Sequence, residues 1–246
     1  MLVTSLAVAR AAGVADRAVY CWSGAEANEV WFPSARPDLG SSPALRAAVS
    51  AATAAAHLGV DDIGAFDVYS CFPCAVEIAV DALGIASDDA RGLTVTGGLP
   101  YFGGPGNNYS LHAIATMVER LRQHGGTGLV SALGWYATKH AVGIYGAAPP
   151  ESGWSRGDTS EAQRAIDASA VAVATEAEGR AVVVASTVAV GHDGTVSAAP
   201  VIARLADGRQ LAAAAAPAEL AALAGRNLVG EPVFVSGRPP RYRIAP

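Results

Sequence analysis

Cys71 and Cys74 stand three residues apart in the run Cys71-Phe-Pro-Cys74, after a short apolar stretch and at the start of a helical one. A helix N-terminus favours the thiolate, so this C-x-x-C spacing permits thiol–disulfide chemistry. The plainer reading is a structural pair of buried thiols. Tyr69 lies beside them at a strand end, as a site residue or as a core aromatic with a satisfied hydroxyl. Downstream, Gly97, Gly98, Gly103, Gly104 and Gly106, stiffened by Pro100 and Pro105, form a loop that feeds a helix. Asn107, Asn108 and Ser110 are N-cap types. A loop entering a helix N-terminus can hold an anion or a developing oxyanion, or it can be a tight turn under a core helix. His112, in the first helical turn, is a candidate imidazole or a packed histidine. Trp135, Tyr136, Lys139 and His140 make a polar-aromatic turn that lines a pocket or closes a hairpin. No His/Cys/Asp grouping has ligand spacing, so no metal is expected.

The elements that must position these groups follow from periodicity and punctuation. Leu2–Val3 reads as a strand leading into a helix over 5–12, and 18–23 as a buried strand. The stretch 24–40, with Trp31, Phe32, Pro33 and Pro37, reads as a long loop. Ser42-Pro43 starts an alanine-rich helix through His57. A strand over 66–69, a helix over 71–83 stopped by Gly84, the glycine loop, and a helix with Leu111, Ile114, Ala115, Val118 and Leu121 on one face come next. Strands over 128–133 and 140–145 complete an α/β alternation around a central sheet. Composition breaks at 147–159. Beyond it, apolar runs are joined at Glu178-Gly179, Asp193-Gly194 and Asp207-Gly208, which are hairpin signals. They predict a small antiparallel barrel or sandwich. The expected domains are 1–148 and 160–246.

The 246 residues are 51% hydrophobic and 16% charged, enough apolar content for a sizeable core. The net charge of −5 and the lack of a basic run argue against nucleic acid. Three cysteines, Cys21, Cys71 and Cys74, do not make a disulfide scaffold, and a reducing, cytoplasmic setting fits them. The N-terminus lacks a basic start and Arg10 interrupts its apolar run, so it is not read as a signal peptide. No stretch reaches a membrane span. The abrupt opening reads like the second part of something larger.

Three blocks, Asp67-Val-Tyr-Ser-Cys-Phe72, Val95-Thr-Gly-Gly98 continuing to Phe102-Gly-Gly-Pro105, and Leu129 to Gly134, resemble in order and separation the motifs of the second half of the thiolase superfamily. The chain is most similar in flavour to the thiolase-like protein type 1 group, near the sterol-carrier-type thiolases. Its tail, especially Ile202-Ala-Arg-Leu-Ala-Asp-Gly-Arg209, resembles that group's additional C-terminal domain. The resemblance implies a layered α/β half with a mixed central sheet, followed by the small β domain. It implies coenzyme A thioesters as substrate or ligand, no separate cofactor, a role in lipid, fatty-acid or sterol metabolism, and acyltransferase-type chemistry. It also implies a complementary thiolase N-terminal half, from a longer chain, a partner subunit or self-association.

The family's functional residues carry over only partly. Tyr69 takes the place of the water-holding Asn or His. Gly104, between Gly103 and Pro105, takes the place of the histidine that activates the nucleophile. Ala132, two residues before Gly134, takes the place of the proton-shuttling cysteine. Missing groups that act as a unit remove most of a rate. The resemblance therefore points to Tyr69 as an acid or oxyanion donor, as in thiolase-like aldolases, with Cys71 beside it and His112 as a substitute imidazole. Gly103, Gly104, Asn107 and Gly134 are the expected substrate-binding positions. The alternatives are a non-enzymatic scaffold completing a thiolase-like aldolase, and a thiol redox protein using Cys71 and Cys74.

Overall fold

The computed structural model describes residues 1–245, and the chain divides into two units. The first comprises Met1–Glu29 and Gly40–Ala168, and the second Val30–Leu39 with the residues from Ser169 on. The division falls after Ala168 rather than near 148, and part of the expected long loop belongs to the second unit. The first unit keeps 157–168 because that stretch is stitched to a strand edge. Gly157 N–H bonds Gly24 O (2.9 Å), and Gln163 bonds both the N–H (2.7 Å) and the carbonyl (2.9 Å) of Asn28.

The first unit holds strands β1 (Tyr20–Asn28), β2 (Ala65–Asp67), β3 (Thr127–Gly134), β4 (Lys139–Gly146) and β5 (Ser155–Arg156). Its helices are α1 (Leu6–Ala11), α2 (Pro43–Ala55), α3 (Pro73–Leu83), α4 (Leu99–Phe102), α5 (Tyr109–His124) and α6 (Ser160–Ala168). No strand forms at Leu2–Val3; Ser5 caps α1 directly. The sheet order is β2-β3-β4-β1-β5. The β2–β3 and β1–β5 pairs are parallel and the two inner pairs antiparallel, so the sheet is mixed, as expected.

Strand alternation sends neighbours to opposite faces. Phe66 and Leu129 join Leu45, Val49 and Ala52 of α2 and Leu83 of α3 in one core. Ala65 and Val130 join Tyr109, Ala113, Met117 and Leu121 of α5 in another. Helices thus cover both faces, the layering that the α/β alternation predicted. Local chemistry sets the helix ends. Ser42 Oγ accepts from Leu45 N (3.0 Å) with Pro43 at the first helical position, and Gly84 (φ 68°) closes α3 in the left-handed region.

Buried Glu29, Ser42 and His140 superficially suggest a nucleophile with a base. The protons say otherwise. Ser42 Oγ donates to Glu29 Oε1 (2.6 Å) and accepts from Leu45 N, while His140 Nε2 lies 3.2 Å from both Ser42 Oγ and the Ala137 carbonyl. A carbonyl only accepts, so Nε2 carries a hydrogen and cannot take one from serine. Glu29 also accepts from Ala44 N (2.8 Å). The group is a buried hydrogen-bonded network at the start of α2.

Arg91 fastens the segment before the glycine loop. Its guanidinium donates to both Asp89 oxygens (2.8 and 2.7 Å) and to the Val60 and Ile63 carbonyls (2.9 and 3.0 Å), and lies 4.6 Å from the Phe66 ring centroid. Arg91 holds the Asp89 carboxyl down at about 2, below its ordinary value near 3.8. A lowered folded-state pKa stabilises at all pH above the unfolded value, and the benefit fades as pH falls toward the folded one. An acid titration should therefore show an Asp89-dependent loss of stability between about pH 4 and pH 2. Asp89→Asn should remove that component; an unchanged acid limb refutes it.

The second unit is mainly β, with 3₁₀ helices at Pro33–Ala35 and Pro217–Leu223. Strands β6 (Gly179–Ser186), β9 (Val201–Leu205), β10 (Gln210–Ala215), β11 (Pro232–Ser236) and β12 (Arg241–Ile244) close a barrel in the order β10-β12-β11-β6-β9. β7 (Ala189–Val190) and β8 (Val196–Ala198) form a separate hairpin. The β10–β12 contact is parallel, and a closed barrel leaves no free edge. Asp193-Gly194 and Asp207-Gly208 (Gly φ 81° and 87°) make the expected turns. Leu211, Val233, Val235 and Tyr242 fill the interior, with Tyr242 Oη bonded to Ala199 O (2.8 Å). The 30–39 segment is tied in by Val171 N–H to Ala35 O (2.8 Å).

Candidate functional site

The three motif blocks, far apart in sequence, converge at one end of the mixed sheet. Asp67, the last residue of β2, is fully buried and accepts four hydrogen bonds. Val95 N (3.0 Å), Thr96 N (3.1 Å) and Thr96 Oγ1 (2.9 Å) donate to Oδ2, and Tyr109 Oη (2.9 Å) donates to Oδ1. Ser70 Oγ accepts from Leu99 N (2.9 Å), tying the first block to α4. Ser131 Oγ accepts from Tyr69 N (3.0 Å), tying the first block to the third. Side-chain acceptors on the strand ends thus hold the glycine loop, whose own amides lack a ladder. Asp67, Ser70, Thr96, Tyr109 and Ser131 were not singled out by sequence reasoning. Their signal was present: polar residues placed where apolar ones would continue a strand or helix.

Tyr69 is half-buried, its ring edge-on to Tyr109 with centroids 5.3 Å apart. Burial first, and then proximity to Cys71, push the Tyr69 phenol above its ordinary value, so it keeps its proton at neutral pH and can donate. Cys71 is half-buried and Cys74 exposed. Burial outweighs the Phe72 backbone hydrogen bond and pushes the Cys71 thiol up. That is opposite to the lowering expected at a helix start. α3 begins only at Pro73, so its dipole does not override desolvation.

His112 accepts from Asn108 Nδ2 at Nε2 (2.9 Å), and its ring lies 5.7 Å from that of Phe102. Asn108 is spent on this bond and makes no side-chain cap on α5. Nδ1 of His112 is buried without a partner among the described residues. With Nε2 engaged and Nδ1 buried, the ring presents no open base in this arrangement. Gly103 is exposed with φ 80°, and Asn107 is exposed at the loop tip. Gly104 faces Tyr109: a Cβ there would stand 2.8 Å from Tyr109 Cβ. Gly134, the last residue of β3, lies apart from these. It lines an open cleft of about 500 Å³ with Glu26, Asn28, Ala132, Lys139 and His140. Tyr69, Cys71 and His112 do not line that cleft. Among the described residues, no group of three or more His, Cys, Asp or Glu is placed to hold a metal, and no helix is long and apolar enough to cross a membrane.

No protein-family model matches the chain, and no curated protein matches it significantly. Among solved structures it is similar to the crystal structure of a monomeric SCP2-thiolase-like protein type 1 from Mycobacterium smegmatis, with a TM-score of 0.87 and 38% sequence identity. The match covers 97% of this chain and 53% of that one, so the chain spans about half the length of its solved relative. The motif order, the mixed sheet between helical layers, the small closed barrel and this likeness agree: the chain belongs to the thiolase-like superfamily, close to the SCP2-thiolase-like proteins of type 1.

Proposed function

We propose that this chain is the acyl-CoA-binding, thiolase-like half of a cytoplasmic protein of lipid or sterol-type metabolism, with degenerate acyltransferase residues. The observation that carries this reading is the convergence of the three motif blocks through Asp67, Ser70 and Ser131. A loop so constrained is a preorganised binding feature rather than a passive turn. Tyr69, protonated, is the hydrogen-bond donor toward a thioester or acyl oxygen, with Cys71 next to it. His112 joins only if Asn108 releases it. Gly103, Gly104 and Asn107 in the loop, and Gly134 at the separate cleft, are the proposed ligand-binding positions. The partner is a thiolase first half, which would supply the nucleophilic cysteine. Phe72, Tyr101, Phe102 and Leu111 are 67%, 89%, 44% and 51% exposed, apolar side chains that such a partner would cover.

The test is a calorimetric titration of the chain with coenzyme A and acetyl-CoA. Saturable binding in the micromolar to millimolar range is expected, and no heat of binding at millimolar ligand overturns the reading. If turnover is found, Tyr69→Phe should cost tenfold or more in kcat, whereas unchanged rates for Tyr69→Phe and His112→Ala remove both from the chemistry. The second reading is a non-enzymatic scaffold completing a thiolase-like aldolase. It is favoured by the close approach of Tyr109 to Gly104, which leaves no room for an imidazole there. The raised Cys71 thiol works against the redox alternative, which a reduction-potential measurement would isolate.

A further inference from the structure

The five barrel strands carry charge of one sign only. Their charged residues are Arg180 of β6, Arg204 of β9, and Arg241 and Arg243 of β12; none is Asp or Glu. The carboxylates of this unit lie in the connections, with Glu178 and Glu231 just ahead of β6 and β11. Strand pairing gathers the four arginines. Arg180 stands opposite Phe234, and Phe234 opposite Arg243, across β6–β11–β12. Arg204 stands opposite Val182, Val182 opposite Pro232, and Arg241 opposite Ser236. Alternation turns all of these outward, since Ala181, Val183, Val233, Val235 and Tyr242 between them are buried. Arg180 and Arg243 are two strands apart, about 10 Å, and Arg241 and Arg243 are about 7 Å apart along one strand.

Among the described residues none of the four is in an ion pair. Arg204 donates to the Pro37 carbonyl (3.4 Å) and Arg241 to the Ala215 carbonyl (3.5 Å), and the Arg243 guanidinium lies 4.9 Å from the Phe234 ring centroid. Carbonyls and a ring steer these side chains and leave their charge in place. Like charges on neighbouring outward positions destabilise a sheet. They stand within about one screening length of each other at physiological salt, so they act as one patch. A multivalent anion removes that repulsion.

The patch composition decides which anion. Val182, 48% exposed, Pro232 and the half-buried Phe234 are interleaved with the arginines instead of being gathered at a centre. A protein partner favours an apolar centre inside a charged rim. A nucleic-acid strand needs bare aromatic faces for its bases, and Phe234, the aromatic that these strands turn outward, already carries Arg243. An anionic bilayer suits interleaving: guanidinium groups meet lipid phosphates while short apolar side chains pass between the headgroups.

We propose that this face of the barrel docks the chain on anionic lipid surfaces. The contact is peripheral, and it is independent of the thioester reading above. Each arginine contributes about fivefold to the affinity.

The experiment is co-sedimentation of the full chain with vesicles of phosphatidylcholine alone and of equal parts phosphatidylcholine and phosphatidylserine. Binding to the mixed vesicles, half-saturated at about millimolar lipid, and none to the neutral ones is expected. Arg180→Gln and Arg243→Gln should each weaken it about fivefold, and Val182→Ser about twofold. Arg46→Gln changes the net charge equally but lies in an exposed ion pair with Asp81 on the first unit, and it should leave binding unchanged. All four side chains are exposed, so the variants should keep their fold, which their melting temperatures check. No sedimentation with the mixed vesicles, or equal sedimentation with the neutral ones, overturns the proposal. So do arginine variants that bind like the parent, and an Arg46→Gln loss as large as theirs, which would reduce the effect to net charge. Polyglutamate or oligothymidylate bound more tightly than the mixed vesicles overturns it in favour of an acidic protein or a nucleic acid.

Discussion

Asp67→Ala is expected to cost the first unit about 3–5 kcal/mol, because it strands several buried donors at once. Val95 N–H, Thr96 N–H, Thr96 Oγ1 and Tyr109 Oη all converge on its two oxygens. Each buried donor left without an acceptor costs about 1–3 kcal/mol. The sum is reduced because Tyr109 Oη and Thr96 Oγ1, 2.7 Å apart, can bond each other. Melting temperature should fall by roughly 10 °C or more. Hydrogen exchange at Val95, Thr96 and Leu99 should accelerate more than exchange in the β3–β4 ladder. Asp67→Asn is the informative control. Its oxygen can keep the three donors at Oδ2, while its amide donates to Tyr109 Oη and the phenol turns to Thr96. The cost should drop to about 1–2 kcal/mol. Equal losses for Ala and Asn would mean that charge matters here, not the count of acceptors. Loss below 1 kcal/mol for Asp67→Ala would mean that the loop is held by something else.

Gly104→His, which puts back the residue type that the family carries there, should damage the site rather than restore it. The first atom of any side chain at 104 would stand 2.8 Å from Tyr109 Cβ and 3.5 Å from its Cα. Those atoms belong to the opening residue of α5, whose ring is buried and whose hydroxyl is bonded to Asp67, so they cannot swing aside. Overpacking of this kind costs about 1–3 kcal/mol. Gly104→Ala isolates the steric part, and its destabilisation should account for most of that of Gly104→His. Neither variant should gain thiolytic or condensing activity. A Gly104→His protein with unchanged melting temperature would show that the loop yields easily, and would reopen the position to an imidazole.

These two cases also divide what the chain's letters reveal from what they hide. The layered α/β half was legible because short apolar runs at β2 and β3, the helices between them and the 3–4 spacing in α5 each mark buried surface. The barrel was legible because Asp-Gly turns punctuate its apolar runs. Gly104 was recognisable as a departure from the family's pattern. Its cause was not, since the obstruction comes from Tyr109, a residue the sequence does not single out. The Cys71 thiol was misjudged in direction because a helix start can be read from Pro73, while the burial of a side chain cannot. That the first unit extends to Ala168 was not legible, because the bonds from Gln163 to Asn28 join residues 135 positions apart.

By itself the sequence determined the element types, the family and the three motif positions, because those depend on local periodicity and on residue identity. Only the tertiary structure decided that Asp67 anchors the glycine loop, that His112 is tied to Asn108, and that Gly134 opens onto a cleft that Lys139 also lines. Such facts depend on which backbone segments stand within about 3 Å of each other, and strand pairing sets that distance, not spacing along the chain.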